Sequence, residues 1–182
     1  MHLPKCSGRV GLSALTLLPL WGRLTLKRDG VMEIDDHLRE YWLLDDVEIM
    51  LPVSCEMIRD FEQSQKASLP PDFVRYLKFA NGFNQFGEYQ DRNGFNFWPI
   101  DKICRVSNYD DGRFKFESSD EYYIFCDYLD FSWGYAIRTD RNGLGSVVLV
   151  GSRDGAPERV ARSFPDFIRL YLRNDPRIYP RS

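Results

Sequence analysis

The sequence predicts a single α+β domain. Its sheet is expected to be largely antiparallel, with mixed pairing allowed, and to hold about five or six strands, with helices packed on one side and a helix at each end. Three observations predict it. Apolar residues recur at helical spacing through 34–77, alternate from Gly82 onward, and return to helical spacing only at 163–172. A chain of 182 residues with 43% hydrophobic and 15% aromatic content can bury one core. No internal repeat or low-complexity linker divides it, so the domain is placed at 32–178.

Residues 1–31 are read as a poorly ordered leader. Their apolar run, Val10 to Trp21, is diluted by Gly11, Ser13, Thr16 and Pro19. "GRLTLKRDG" follows it in place of the small residues that a cleavage site needs. The run is also shorter than the roughly 20 apolar residues that span a bilayer. An appended or poorly ordered leader, of the kind that translation from upstream of the native start would add, is therefore preferred to a secretory signal, and a cytoplasmic protein without a membrane partner is expected.

From Met32 each element has a local cause. Ile34, Leu38, Tyr41 and Trp42 predict a helix over 34–43. Ser54 caps a second, 55–66, with Met57, Ile58 and Phe61 inward. In "SLPPDFVRYLKFANG", Pro71 suits a first helical turn. Phe73, Tyr76, Leu77 and Ala80 make one face, and Asn81-Gly82 stops the helix. "GFNFWPI" alternates as a strand, and Pro99 opens a helical turn through Ile103. "YYIFCDY" (122–128) and "WGYAIRT" (133–139) read as neighbouring strands. "DRNGLG" is a turn into "SVVLVG" (146–151), and Arg159–Ala161 is a short strand. Ser163 caps the last helix, which presents Phe164, Phe167, Ile168, Tyr171 and Leu172 and ends before Pro176.

Charge narrows the function. Residues 1–31 hold five basic residues and one acid, so 32–182 carries 19 basic against 26 acidic, net −7. Phosphate backbones are bound by Lys and Arg, so direct nucleic-acid binding is not expected; a basic protein partner is. Residues 108–130 carry seven acids against Arg113 and Lys115, net −5. Asp110, Asp111, Asp120, Glu121, Asp127 and Asp130 are the candidate partner-binding residues within that segment. Asp127 and Asp130 could make a carboxylate pair only through a bulge, because residues three apart on a strand face opposite ways; solvated or partner-facing acids are favoured.

Catalytic groups are scarce. His2 lies in the leader and His37 on an acidic helix, so no histidine stands ready to activate Cys126, which is read as core. "GLGS" at 143–146 leads into a strand, not a helix N-terminus, and is read as a turn. Cys6, Cys55, Cys104 and Cys126 lack zinc spacing and are expected to be buried free thiols. No enzyme activity, metal or cofactor is expected. On the 133–138 strand, Trp133, Tyr135 and Ile137 share one face, expected toward the helices. Gly134, Ala136 and Arg138 share the other, whose small residues allow close approach.

"LPPDFVRYLKFANG", "FWPIDKI", "YYIFCDYLDFSWGYAIRTD", "GSVVLVGS" and "VARSFPDFIRLYL", in that order across roughly 54–172, resemble the SUKH superfamily of cell-wall assembly regulators and bacterial immunity proteins. The resemblance implies that Leu69, Pro70, Phe73 and Leu77 form the docking helix and Asn81-Gly82 its stop. It makes Trp98-Pro99 the buried tryptophan and following turn, and Gly134-Tyr135 the small-then-aromatic strand pair. Ser163, Phe164 and Phe167 then form the final capped helix. It further implies a non-enzymatic protein that neutralises a toxin, or else a regulatory scaffold. "DYLDFSWG" stands where the family often has a glycine-rich acidic turn.

A chain beginning at Met32 is expected to unfold at the temperature of the full chain, because the leader offers no continuous apolar face. A thermal midpoint lower by more than about 4 °C, roughly 1 kcal/mol for a domain of this size, would show that the leader is part of the fold.

Overall fold

The computed structural model describes residues 34–180 apart from 46, 85–88, 113, 142–143 and 152–155; the leader and the side chains of Ile34 and Asp111 also lie outside the described residues. Three helices lead: α1 (Ile34–Leu43), α2 (Cys55–Gln65) and α3 (Pro71–Leu77). Six strands follow: β1 (Phe95–Phe97), β2 (Cys104–Arg105), β3 (Tyr122–Tyr128), β4 (Trp133–Arg138), β5 (Val147–Val150) and β6 (Glu158–Ala161). The helix α4 (Phe164–Leu172) and a 3₁₀ turn, Pro176–Ile178, complete the order. The fold is α+β, with every strand pair antiparallel. The sheet runs β1-β3-β4-β5-β6, and β2 also pairs with β3.

The predicted caps form. Ser54 accepts a hydrogen bond from the Met57 amide at 3.1 Å, and Ser163 from the Asp166 amide at 3.2 Å, so each satisfies an amide that its helix cannot. Pro71 starts α3 at a position where a missing N–H costs nothing. Gly82 ends the following turn at φ +67, and a Cβ there would lie 2.5 Å from both the Phe97 carbonyl oxygen and the Trp98 carbonyl carbon. Only glycine fits so close a backbone crossing. The same crossing explains Asn81, whose side-chain oxygen accepts from the Ile100 amide at 2.8 Å. The helix stop and the Trp98-Pro99 turn are thus one joint, and the turn closes with the Lys102 and Ile103 amides donating to the Pro99 carbonyl.

The helices cover one face of the sheet, and aromatic rings make most of the contact. Phe125 of β3 meets Phe73 of α3 at 5.5 Å and Phe167 of α4 at 5.4 Å. Tyr135 of β4 meets Phe167 at 5.0 Å, and Trp42 of α1 meets Phe97 of β1 at 5.2 Å. Edge-to-face geometry dominates, as the quadrupoles of such rings favour. Tyr135 and Ile137 therefore face the helices, as alternation along β4 predicts.

Along β3 simple alternation fails. Ile124 pairs with Ala136 but Cys126 pairs with Tyr135, so Phe125 is an inserted residue. This bulge turns Phe125 and Cys126 both toward the helices and leaves Asp127, opposite Gly134, on the other face.

Two local expectations change. Met57, expected inward on α2, is 45% exposed, because Ile58 and Phe61 already fill that helix's contact with the core. Cys55, expected buried, starts α2 on the exposed side, whereas Cys126 is buried and Cys104 half-buried; all three are free thiols. Pro70 is buried at the head of α3. His37 is exposed.

Trp98 is 8% exposed and donates its indole N–H into the protein interior. Trp98→Ala is expected to cost about 3–5 kcal/mol in chemical denaturation. A loss under roughly 1 kcal/mol would place the ring outside the core.

Candidate protein-binding surface

On the face of the sheet away from the helices, two glycines make a floor. A Cβ on Gly134 would stand 2.9 Å from the tip of the Phe131 ring, and one on Gly151 would stand 2.8 Å from Phe114. Gly134 pairs with Val150, the last residue of β5, and Gly151 follows it directly. The small residues of β4 do permit close approach, and what approaches is the chain's own aromatic side chains.

Three rings stack there almost parallel. Tyr109 and Phe131 lie 4.3 Å apart at 13°, Phe114 and Phe131 5.1 Å apart at 23°, and Tyr109 and Phe114 5.7 Å apart at 19°. Trp98 closes the stack from within, 5.8 Å from both Tyr109 and Phe131. Tyr109 comes from the 3₁₀ segment Val106–Gly112, Phe114 from the loop that follows, and Phe131 from the β3–β4 turn. All three rings are half-buried. Each is packed against its neighbours in the stack.

One carboxylate holds the arrangement. Asp127, expected among the partner-facing acids, is only 4% exposed and does not reach the surface. Its Oδ2 accepts from the Trp98 indole N–H at 2.6 Å and from the Asn96 amide side chain at 2.8 Å; its Oδ1 accepts from the Phe131 backbone N–H at 3.1 Å. Burial pushes its carboxyl above the usual carboxylate range, against the pull of those three donors.

The turn after Asp127 is bent back by three successive left-handed residues: Leu129 (φ 45), Asp130 (φ 50) and Phe131 (φ 64). None is glycine, and each costs roughly 1 kcal/mol or more in that region. Partners hold them: the Leu129 amide donates to the Gly94 carbonyl at 2.9 Å, the Ser132 amide to Tyr128 at 2.8 Å, and Asp127 takes the Phe131 amide. The turn where the resemblance leads one to expect glycine thus adopts a glycine-like path with side chains in place.

The remaining candidate acids divide. Asp110, Asp120 and Asp130 are exposed. Asp130 accepts from the Tyr89 hydroxyl at 2.7 Å and from Gln90 at 3.0 Å, and Asp120 accepts from Ser107. Glu121 is half-exposed and paired with Arg138 at 2.7 Å. Asp111 lies in the 3₁₀ segment, its side chain outside the described residues. Asp110 and Asp130, both exposed, are the chain neighbours of the stacked Tyr109 and Phe131. The charge was legible in the sequence, but the rings of Tyr109 and Phe114 were not, because residues 106–118 have no periodicity. The available signal was the pair Gly134, on β4, and Gly151, immediately after β5.

Among the described residues no group of three or more His, Cys, Asp or Glu could hold a metal ion. Burial raises the Cys126 thiol well above its usual range, with Asp127 adding to the effect, which opposes a thiolate nucleophile there.

Asp127→Asn leaves one oxygen to face three donors and is expected to cost about 1–3 kcal/mol near pH 7. Its pH dependence has a definite sign. With the folded-state carboxyl raised, the native chain binds a proton before the unfolded chain does, so Asp127 adds stability as pH falls. The gap between wild type and Asp127→Asn should therefore widen from pH 7 toward about 4, the unfolded carboxylate range. A gap that narrows over that range, measured by urea denaturation, would mean that the three donors outweigh burial.

No helix among the described residues is long and apolar enough to cross a membrane. No curated protein matches the chain. The family model of the SMI1 / KNR4 family (SUKH-1) matches residues 52–170, from the lead into α2 to the last turn of α4, and so takes in the joint at Gly82, Trp98, the glycine floor and the ring stack. The chain therefore belongs to the SMI1 / KNR4 family (SUKH-1), which includes immunity proteins and cell-wall regulators and whose members are generally non-enzymatic binding proteins.

Proposed function

We propose that this chain is a non-enzymatic immunity protein that acts in the cytoplasm by binding and neutralising a protein toxin, with a nuclease as the preferred target. One observation carries the reading: a half-buried stack of Tyr109, Phe114 and Phe131 flanked by the exposed Asp110 and Asp130. Aromatic rings held rigid by packing supply contact area at little entropic cost, and interfaces are enriched in them. Carboxylates around such rings favour a basic partner, and a nuclease must present basic groups to its substrate. The alternative is a regulatory scaffold of the cell-wall assembly regulator type, which would use the same face on a cellular protein.

The test removes charge without disturbing the backbone. Asp110→Asn, Asp120→Asn and Asp130→Asn keep side chains that tolerate the left-handed conformation of residues 110 and 130. Combined, they should leave folding intact and slow association with the toxin encoded beside this gene by about tenfold at low salt. The salt dependence should flatten, since steering is screened beyond about 8 Å at physiological ionic strength. Asp127 is left unchanged because its reversal would bury an unpaired charge. Unchanged association rates would remove this face from the interface. Failure of the wild-type chain to protect a host that expresses the toxin, together with capture of a cellular protein by the same face, would favour the scaffold.

A further inference from the structure

Five arginines line an open groove of about 490 Å³ between β6 and α4. Arg159 lies on β6, Arg162 just after it, Arg169 on α4, Arg173 at its C-cap, and Arg177 in the 3₁₀ turn. All five are exposed, and Asp166 is the only acid in the lining. Asp166, Arg169 and Arg173 are spaced three and then four residues apart, which puts them on one face of α4. Guanidinium groups from a strand, a helix and the turns beyond them thus share one space.

Two of the five are compensated. Arg169 donates to Asp166 at 2.7 Å, and Arg177 donates from Nε and a terminal nitrogen to the two oxygens of Asp175, each at 2.8 Å. Among the described residues no carboxylate forms an ion pair with Arg159, Arg162 or Arg173. A cation at the end of a helix suits its dipole, which accounts for Arg173. It does not account for Arg159 and Arg162, which bring further positive charge to the same groove against mutual repulsion.

We infer that this groove is a binding site for a small ligand that carries two or more phosphoryl groups. A carboxylate has two oxygens and is matched by one guanidinium fork, as Asp175 is by Arg177. A phosphoryl group presents three acceptor oxygens and a charge of about −1.5 to −2, so it engages more than one fork. Three uncompensated guanidinium groups around one space therefore suit phosphoryl groups better than carboxylates. The groove exceeds what one inorganic phosphate fills and lies within the range of small-ligand sites, about 300–1,000 Å³. A long nucleic acid would meet the same arginines, but its other phosphates would lie against a domain of net charge −7. The site uses side chains alone and none from the ring stack, so it stands or fails apart from the toxin reading.

The full chain would be titrated by calorimetry, without magnesium, with inorganic tripolyphosphate and with adenosine triphosphate; adenosine and an oligoglutamate peptide of equal charge serve as controls. Both phosphate ligands should bind, more weakly as salt rises; adenosine should not bind, and the peptide should bind about tenfold more weakly. Arg159→Ser with Arg173→Ser should lower the affinity for tripolyphosphate about tenfold, whereas Arg159→Lys with Arg173→Lys should retain part of it. Asp166→Asn should strengthen binding, because it releases Arg169 and removes the one acid from the lining. Amide resonances of residues 159–162 and 169–177 should shift with tripolyphosphate, and those of Tyr109 and Phe131 should not. The Asn substitutions on the ring-stack face should leave the affinity unchanged. No binding at about 1 mM tripolyphosphate, a serine variant that binds as the wild type does, resonance shifts confined to other residues, or oligoglutamate binding as tightly would each overturn the inference.

Discussion

The buried carboxylate of Asp127 is the constraint on which the outer half of this fold depends. It gathers one donor from each of three segments: Asn96 at the centre of β1, Trp98 at the exit from β1, and Phe131 in the β3–β4 turn. An unpaired carboxylate in that position would be costly, and so would three buried N–H groups without an acceptor. Each side of the network therefore requires the other. Its geometry fixes the Trp98 ring, and the Trp98 ring backs Tyr109 and Phe131. The ring stack is thus held from beneath by a buried carboxylate.

A second buried carboxylate does the same work on the helix side. Asp91, 5% exposed, accepts the Tyr171 hydroxyl of α4 and the amides of Asn93 and Phe95, each at 2.9 Å. The Tyr171 hydroxyl in turn accepts the Trp42 indole N–H of α1 at 2.8 Å. Burial raises the Asp91 carboxyl above the usual range, as it does that of Asp127. Thus α1, α4 and the lead into β1 meet at one polar point inside a core of rings. Rings alone pack with little preference for register, and directional hydrogen bonds at their edges add the missing selectivity.

What the sequence showed plainly was whatever short-range chemistry decides. Ser54 and Ser163 as caps, Pro71 at a first turn, Gly82 at a stop and the strand pair 122–139 are each determined by neighbours within a few residues. Asp127 was misread because its burial is settled by Asn96 and Trp98, about thirty positions away, and by a bulge at Phe125 that alternation does not announce. Tyr109 and Phe114 escaped notice for a related reason. They sit in irregular chain, and only the glycines at 134 and 151 show that rings must pass there. The arginine groove was invisible as a cluster, since Arg159 and Arg177 belong to different elements, and composition averages them into an acidic whole.

That averaging bears on function. A net charge of −7 on the domain invites the view of a uniformly acidic ligand for basic partners. The fold instead separates the signs. Asp110, Asp120 and Asp130 stand exposed in the segment that carries the ring stack, whereas five arginines gather at the β6 edge. Charges of opposite sign could have neutralised one another across the sheet, yet exposed pairs contribute little stability, typically about 0–1 kcal/mol, so folding alone exerts slight pressure to bring them together. With stability nearly indifferent, recognition can set where they lie. Among the described residues, the stacked rings and the arginines therefore lie in differently charged surroundings.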